Sequence, residues 1–167
     1  MEINPEIVKQ AKASDAAAFA ELYETVYKDL YRFAYYTLKH PQDAEDVVSE
    51  TVIDAYRGIH RLRSEEAFQG WIFKILSNKC KRKLKEYVGK TLPLDETLPL
   101  PEADYATGYD MHTAFSQLAD DERLIVSMAV FGGYTSKEIG KILHMNDNTV
   151  RSRQSRALAK LKKKLES

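Results

Sequence analysis

"TSKEIGKILHMNDNTVRSRQSRALAKLKKK", residues 135–164, decides how this chain is to be read. Thr135 and Glu138 stand at the T-x-x-E spacing, where a hydroxyl and a carboxylate cap the first turn of a helix between them. This predicts a short helix through "SKEIGKIL". A turn follows, and Asn146 is placed to cap a last helix running from Asp147. A capped helix, a turn of three or four residues and a basic helix make the helix-turn-helix pattern.

With Val150 at zero on a wheel of about 100° per residue, Ala157, Leu158, Leu161 and Leu165 fall on its side as the core face. Asn148, Ser152, Ser155 and Arg156 lie opposite, flanked by Arg151 and Arg153. Small polar and guanidinium groups suit base edges, and cations beside them suit phosphates. Residues 146–164 hold seven Lys or Arg against one acid, in a chain of zero formal net charge. A basic helix taken alone is more often merely solvated; the capped helix and turn before this one favour duplex DNA. Lys162, Lys163 and Lys164 by themselves read as a solvated helix end.

Charge along the rest of the chain is segregated. Residues 1–56 carry 5 bases and 11 acids, residues 57–87 carry 9 and 3, residues 88–110 carry 1 and 5, and residues 111–167 carry 10 and 6. Two positive zones alternating with two negative ones imply partners of both signs.

From Asp15 to about Tyr87 the apolar spacing is helical. Phe19, Leu22, Tyr23, Val26, Leu30, Phe33 and Ala34 form the stripe of a first long helix ended by Pro41. Asp43 is the expected N-cap of an acidic helix with the stripe Ala44, Val47, Val48, Val52 and Ala55. A third helix is expected to bury Phe68, Trp71, Ile72, Ile75 and Leu76 and to carry Lys74, Lys79, Lys81, Arg82, Lys83 and Lys85. Arg61, Arg63, Phe68, Trp71 and Phe73 among these bases allow two readings. Aromatics beside cations can stack unpaired bases, and aromatics at helical spacing are more often core.

The texture changes at 89–110, where three prolines, two glycines and five acids lack any helical period. The fold class expected is therefore all-α: two small helical domains, 1–87 and 111–167, joined by a flexible acidic linker over 88–110, with the helix-turn-helix in the second. No run of about 18 apolar residues occurs, so no membrane span is expected, and the N-terminus lacks a secretory signal pattern. Cys80, the one cysteine, cannot form an internal disulfide, which fits a cytoplasmic protein. Basic neighbours can lower its thiol pKa, but no histidine stands near it as a partner for nucleophilic chemistry. His40, His60, His112 and His144 are scattered without metal-ligand spacing, and no phosphate-binding glycine motif exists. No metal, no cofactor and no enzyme activity are expected.

"AFAELYETVYKDLYRFAYY", "DAEDVVSETVIDAYR" and "FQGWIFKILSNKCKRKLK" together resemble region 2 of bacterial RNA polymerase sigma factors of the extracytoplasmic-function (ECF) group in the sigma-70 family. "LADDERLIVSMAVFGGYTSKEIGKILHMNDNTVRSRQSRALAKL" resembles their region 4. The resemblance covers nearly the whole chain except the linker. It implies a sigma factor that binds core polymerase at the β′ clamp and the β flap, melts the −10 promoter element and reads the −35 element. An anti-sigma factor is an implied partner.

The resemblance assigns core binding to Asp43, Asp46, Ser49 and Glu50, with Ser49 where the family often has Gln. It assigns −10 DNA to Arg61, Arg63, Ser64, Phe68, Trp71, Lys74, Asn78, Lys81 and Arg82, Trp71 chiefly as framework. To −35 DNA it assigns Asn148, Thr149, Arg151, Ser152, Arg153, Ser155 and Arg156. His144 replaces a common turn Gly and is expected at positive φ. Gln154 takes a usually apolar core position, and Asn148 replaces a frequent Gly. No further domain follows region 4, so regulation from within the chain is not expected. Two rivals remain at this point: an ordinary helix-turn-helix regulator, and a sigma mimic that only sequesters an anti-sigma factor.

Overall fold

The computed structural model describes residues 2–88 and 105–166, with the backbone alone for 105–110. Every regular element among them is helical. The first, α1 (Pro5–Lys12), precedes the point where the sequence's helical period begins. Eight residues are too few for a strong periodic signal. Its markers are the cap, Asn4 Oδ1 accepting from the Glu6 amide at 2.9 Å, and Pro5 in the first turn. Val8 and Ala11 enter the core.

Helix α2 (Ala16–Leu38) is capped by Asp15, whose carboxylate accepts from the amides of Ala17 and Ala18 at 3.0 and 3.1 Å. It ends with Lys39 in the left-handed conformation, φ 68°. Pro41 opens α3 (Pro41–Gly58) at its first position, and His40 occupies the cap position without capping the helix through its side chain. Asp43 is therefore not the N-cap expected from the sequence; the proline starts the helix earlier. Two short 3₁₀ turns, Ile59–Arg61 and Glu65–Ala67, lead into α4 (Phe68–Tyr87). Inside α4, Phe68, Ile72, Phe73, Leu76, Cys80 and Leu84 are buried, while Trp71 and Ile75 are half-buried. The rings of Phe33 and Phe73 lie 5.9 Å apart with no exposure, each burial contributing about 1.5–3 kcal/mol.

The core of the expected linker, residues 89–104, lies outside the described residues. Residues 105–110, placed in that linker by their glycine and acids, instead open α5 (Tyr105–Ser116). Then come α6 (Asp120–Val130), α7 (Ser136–Leu143) and α8 (Asp147–Glu166). Glu122 reaches back to accept from the Ala119 amide at 2.9 Å, closing the first turn of α6. The expected capping box is present: Thr135 Oγ1 accepts from the Glu138 amide at 3.1 Å, and Glu138 accepts from the Thr135 amide at 3.0 Å.

The two helical domains do not stand apart. Leu124, Ile125, Met128, Ile139, Leu143 and Val150 join the same buried cluster as the interiors of α1–α4. In return, Tyr36 of α2 enters the second cluster with Phe115, Leu118, Val126, Ala157 and Leu161. Its ring stacks on Phe131 with centroids 5.6 Å apart and planes within 3°.

Candidate nucleic-acid interface

Helix α4 sorts its side chains into three directions. Lys74, Asn78 and Arg82 are exposed at successive intervals of four and form one polar, cationic stripe. Lys79 and Lys83 turn to α3 instead. Lys79 Nζ lies 2.8 Å from Asp54 and 3.9 Å from Glu50; Lys83 Nζ lies 3.3 Å from Glu86 and 3.9 Å from Asp43. Lys81, half-buried, lines an apolar cleft of about 230 Å³ with Leu84, Lys85, Asp120, Asp121, Leu124 and Met145. Of the basic run in α4, only part faces outward beside Asn78.

Arg61 and Arg63 are exposed on the segment before α4, and Ser64 is half-buried. Phe68 is 1% exposed, as its helical spacing predicted, so it carries α4 from within and offers no ring to a base, contrary to the −10 role that the resemblance implied. Trp71 is a wall of the same fold. Its ring lies against the end of α3, where a side chain at Gly58 would meet Cζ2 at 3.4 Å in ordinary contact. Cys80 has no exposure, and burial pushes its thiol well above the ordinary range, not below it.

Asp46, Ser49 and Glu50 are exposed on α3 and line a polar groove of about 420 Å³ with Lys79, Arg82, Lys83 and Glu86. Gln42 Nε2 donates to Asp46 at 3.1 Å. Asp43 stands apart at the base of α3, where its carboxylate accepts from the Tyr87 hydroxyl. Burial first, then this bond and the Asp43 charge, push the Tyr87 phenol above its ordinary pKa. Two residues missed by sequence reasoning continue the acidic face: Ile53 and Tyr56 are 49% and 56% exposed. Their signal was available, since both are large apolar residues off the Ala44–Val47–Val48–Val52–Ala55 stripe.

In the second domain, His144 adopts φ 58°, as its position in the turn predicted. Gly140 lets the turn close: a side chain there would meet the Met145 carbonyl oxygen at 2.6 Å. Asn146 Oδ1 accepts from the Asn148 amide at 2.8 Å, the expected cap of α8. Val150, Ala157 and Leu161 are buried, whereas Leu158 and Leu165 are 42% and 45% exposed and leave the predicted core face incomplete. Gln154 is half-buried and accepts from the Ser136 hydroxyl at 3.3 Å, which satisfies a polar group on the core side.

Asn148, Thr149, Arg151, Ser152, Ser155 and Arg156 are all exposed on the outer face of α8. Arg151 pairs with Asp147 at 3.0 Å, and Arg156 Nε donates to the Ser152 carbonyl at 3.3 Å, so neither is held by a distant element through these bonds. Arg153 differs. It is half-buried and its guanidinium is tied to Asp121 of α6, a partner the wheel could not reveal. Lys160 likewise pairs with Glu122 at 3.0 Å. Burial alone would raise the Glu122 pKa, but the Ala119 amide and Lys160 outweigh it and hold the carboxyl below its usual value.

Among the described residues no group of His, Cys, Asp and Glu is arranged to hold a metal ion, and no helix is long and apolar enough to cross a membrane.

Comparison with known proteins matches residues 22–87 to the family "Sigma-70 region 2" and residues 114–163 to "Sigma-70, region 4". The ECF RNA polymerase sigma factor SigM of Mycobacterium tuberculosis is 28% identical over 161 residues, 95% of this chain and 82% of its own. RNA polymerase sigma factor SigV of Bacillus subtilis is 29% identical over 134 residues, 78% and 81% of the two chains. Among solved structures, CnrH in complex with the cytosolic domain of CnrY has the same fold, with a TM-score of 0.66 at 21% identity over 97% of this chain and 96% of that one. The sigma factor RpoE of Bartonella quintana, in complex with the anti-sigma factor NepR, gives a TM-score of 0.67 at 22% identity over 89% and 96%. With both regions matched in order on an all-helical, two-domain chain, the protein belongs to the sigma-70 family of RNA polymerase sigma factors, in its extracytoplasmic-function group.

Proposed function

We propose that this protein binds core RNA polymerase and directs promoter-specific initiation, melting a −10 element with the first domain and reading a −35 element with the second. The observation that carries this is one chain presenting two separate exposed reading faces. One is the Lys74, Asn78 and Arg82 stripe with Arg61 and Arg63; the other is the outer face of α8 over 148–156. Arg and Asn are the side chains that make bidentate contacts with guanine and adenine in a major groove. Exposed cations along α4 and its approach suit a displaced single strand.

Asp46, Ser49 and Glu50, with Ile53 and Tyr56 beside them, form the surface for core polymerase in this reading. The acidic rim steers and the two apolar side chains anchor. RNA synthesis itself belongs to the polymerase. An anti-sigma factor is a proposed partner, since the relatives CnrH and RpoE were solved with CnrY and NepR. The cytoplasm is the proposed compartment.

Transcription in vitro with bacterial core polymerase on a pool of random promoters, with and without this protein, tests the proposal. New transcripts whose upstream sequences share two spaced motifs are the expected result. No association with core at all would leave an ordinary helix-turn-helix regulator; stable association without any transcript would favour a sigma mimic.

A further inference from the structure

One buried side chain aims the two arginines that precede α4. Leu62 has an extended backbone, φ −63° and ψ 129°, in which neighbouring side chains turn to opposite sides. It is 6% exposed, while Arg61 and Arg63 on either side of it are exposed. The segment that carries them has little regular structure of its own. Its two 3₁₀ turns close on the bond from the Leu62 amide to the Ile59 carbonyl at 3.0 Å and that from the Ala67 amide to the Ser64 carbonyl at 3.2 Å. Turns this short, with the poorer hydrogen-bond geometry of a 3₁₀ helix, do not hold a shape unaided.

Packing supplies what the turns lack. Helix α3 packs on the first turn and α4 on the second, each beside it in the chain, whereas α1 packs on both from the far end of the domain's sequence. Val8 and Ala11 of α1 share one buried cluster with Ile59 and Leu62, and Ile7 packs against it. The helix is itself tied down. The Ser14 amide donates to the Ala11 carbonyl at 3.1 Å and the Asp15 amide to the Gln10 carbonyl at 3.2 Å, with Ser14 at φ 70° turning the chain tightly into α2. A terminal helix fixed by a cap at one end and a tight turn at the other can brace a loop; a fraying one cannot. The match to region 2 begins at residue 22, beyond α1, so that match does not account for the helix.

We infer that α1 is a positioning element for −10 recognition: by packing on both 3₁₀ turns it holds Leu62 in place and so fixes the direction in which Arg61 and Arg63 meet the displaced strand. The inference rests on the sigma-factor reading and deepens it. A loop set in place before binding loses less conformational freedom when an unpaired base arrives, and its side chains discriminate among bases more sharply. None of the α1 residues named here need touch DNA; they act through Leu62.

Three variants of the full chain, each assembled with core polymerase, test this. Val8→Ala trims the buried side of α1. Asn4→Ala removes the cap through an exposed residue, and Asn4→Asp keeps it. Holoenzyme is titrated with single strands carrying the −10 motif of the selected transcripts and with copies altered at one base. Discrimination between the two strands should fall roughly tenfold in Val8→Ala, the equivalent of one base contact. It should fall in the same direction in Asn4→Ala and stay at the wild-type level in Asn4→Asp, with core affinity and −35 duplex binding unchanged in all three. If Val8→Ala does not fold, the Asn4 pair decides. Wild-type discrimination in Asn4→Ala and Val8→Ala would overturn the inference, and so would a parallel loss of core affinity and −35 binding, the mark of general destabilisation. A wild-type holoenzyme with no base preference on these strands would instead sink the functional reading.

A second measurement needs no DNA. The Leu62 and Ala67 amides close the two turns, so their hydrogen exchange reports how firmly the loop is held. Exchange at both should quicken in Asn4→Ala and Val8→Ala and match wild type in Asn4→Asp. Equal rates in all four proteins would show that α1 does not brace the loop.

Discussion

Two side chains show how differently the same chemistry behaves by position. Arg153 and Arg156 are three residues apart on α8, yet one is pinned to Asp121 and the other projects outward. Only the second is free to address a base edge. Arg156→Ala should therefore relax −35 sequence preference by about 1–3 kcal/mol at one base pair, read as a flattened selection profile in footprinting of holoenzyme. An unchanged profile would remove Arg156 from the reading set. His112 is the other case. It is 6% exposed with its ring centroid 4.3 Å from that of Tyr35 and 5.9 Å from that of Tyr36, and its Nε2 has no partner. Burial first, then the charges of Lys39 and Arg123, lower its pKa to about 4, with Asp120 facing Lys39 as the nearby acid. The unfolded chain takes up the proton near pH 6.5. Stability is full above that value and declines as pH falls from about 6.5 toward 4, because the unfolded state binds more protons there. Urea melts at pH 7 and pH 5 should show this loss, and His112→Gln should lessen it; equal losses in both proteins would discount His112.

Among elements, the turn between α7 and α8 and the outer face of α3 carry the sharpest expectations. Gly140→Ala would place a methyl 2.6 Å from the Met145 carbonyl, so the turn must open and α8 must tilt. A rearrangement of that kind costs about 1–3 kcal/mol. Loss of thermal stability together with weakened −35 binding is expected, and an unaltered melting temperature would show that the turn absorbs the methyl. On α3, Asp46→Ala with Glu50→Ala removes two exposed carboxylates, and Lys79 keeps its nearer partner Asp54 at 2.8 Å. The variant should keep its fold and lose co-elution with core polymerase. Normal co-elution would shift the docking surface toward Ile53 and Tyr56.

For the whole molecule, the shared core has a thermodynamic consequence. Independent domains on a linker would melt in two steps, whereas residues of α6 buried with α2 and α4 couple the two. One calorimetric transition is expected for the free chain, resolving into two when Arg123→Gln removes the 2.8 Å bond that Arg123 Nε donates to the Thr37 carbonyl of α2. Two transitions in wild type would show that the shared cluster is too weak to couple the domains.

The helix-turn-helix, its capping box, the Asn146 cap and the positive φ at His144 were all legible from the sequence. Each depends on residues no more than four apart, where hydrogen bonds and helical period are written locally. The acidic and basic zones were legible for the same reason. α1 was missed because its signal is a cap and a proline without enough residues for a period, and Asp43 was misplaced as a cap because Pro41 begins the helix earlier. The sequence by itself thus determined α2–α4 and the helix-turn-helix of α7 and α8, their order and the families of side chains each would display. Only the tertiary structure decided which α4 cations face solvent, that Arg153 belongs to Asp121 and that Arg123 Nε donates to the Thr37 carbonyl. Those outcomes depend on side chains 25 to 90 positions apart, as Lys79 meets Asp54, Arg153 meets Asp121 and Thr37 meets Ser127. No local pattern records such meetings, because packing selects the partner only after the helices have formed.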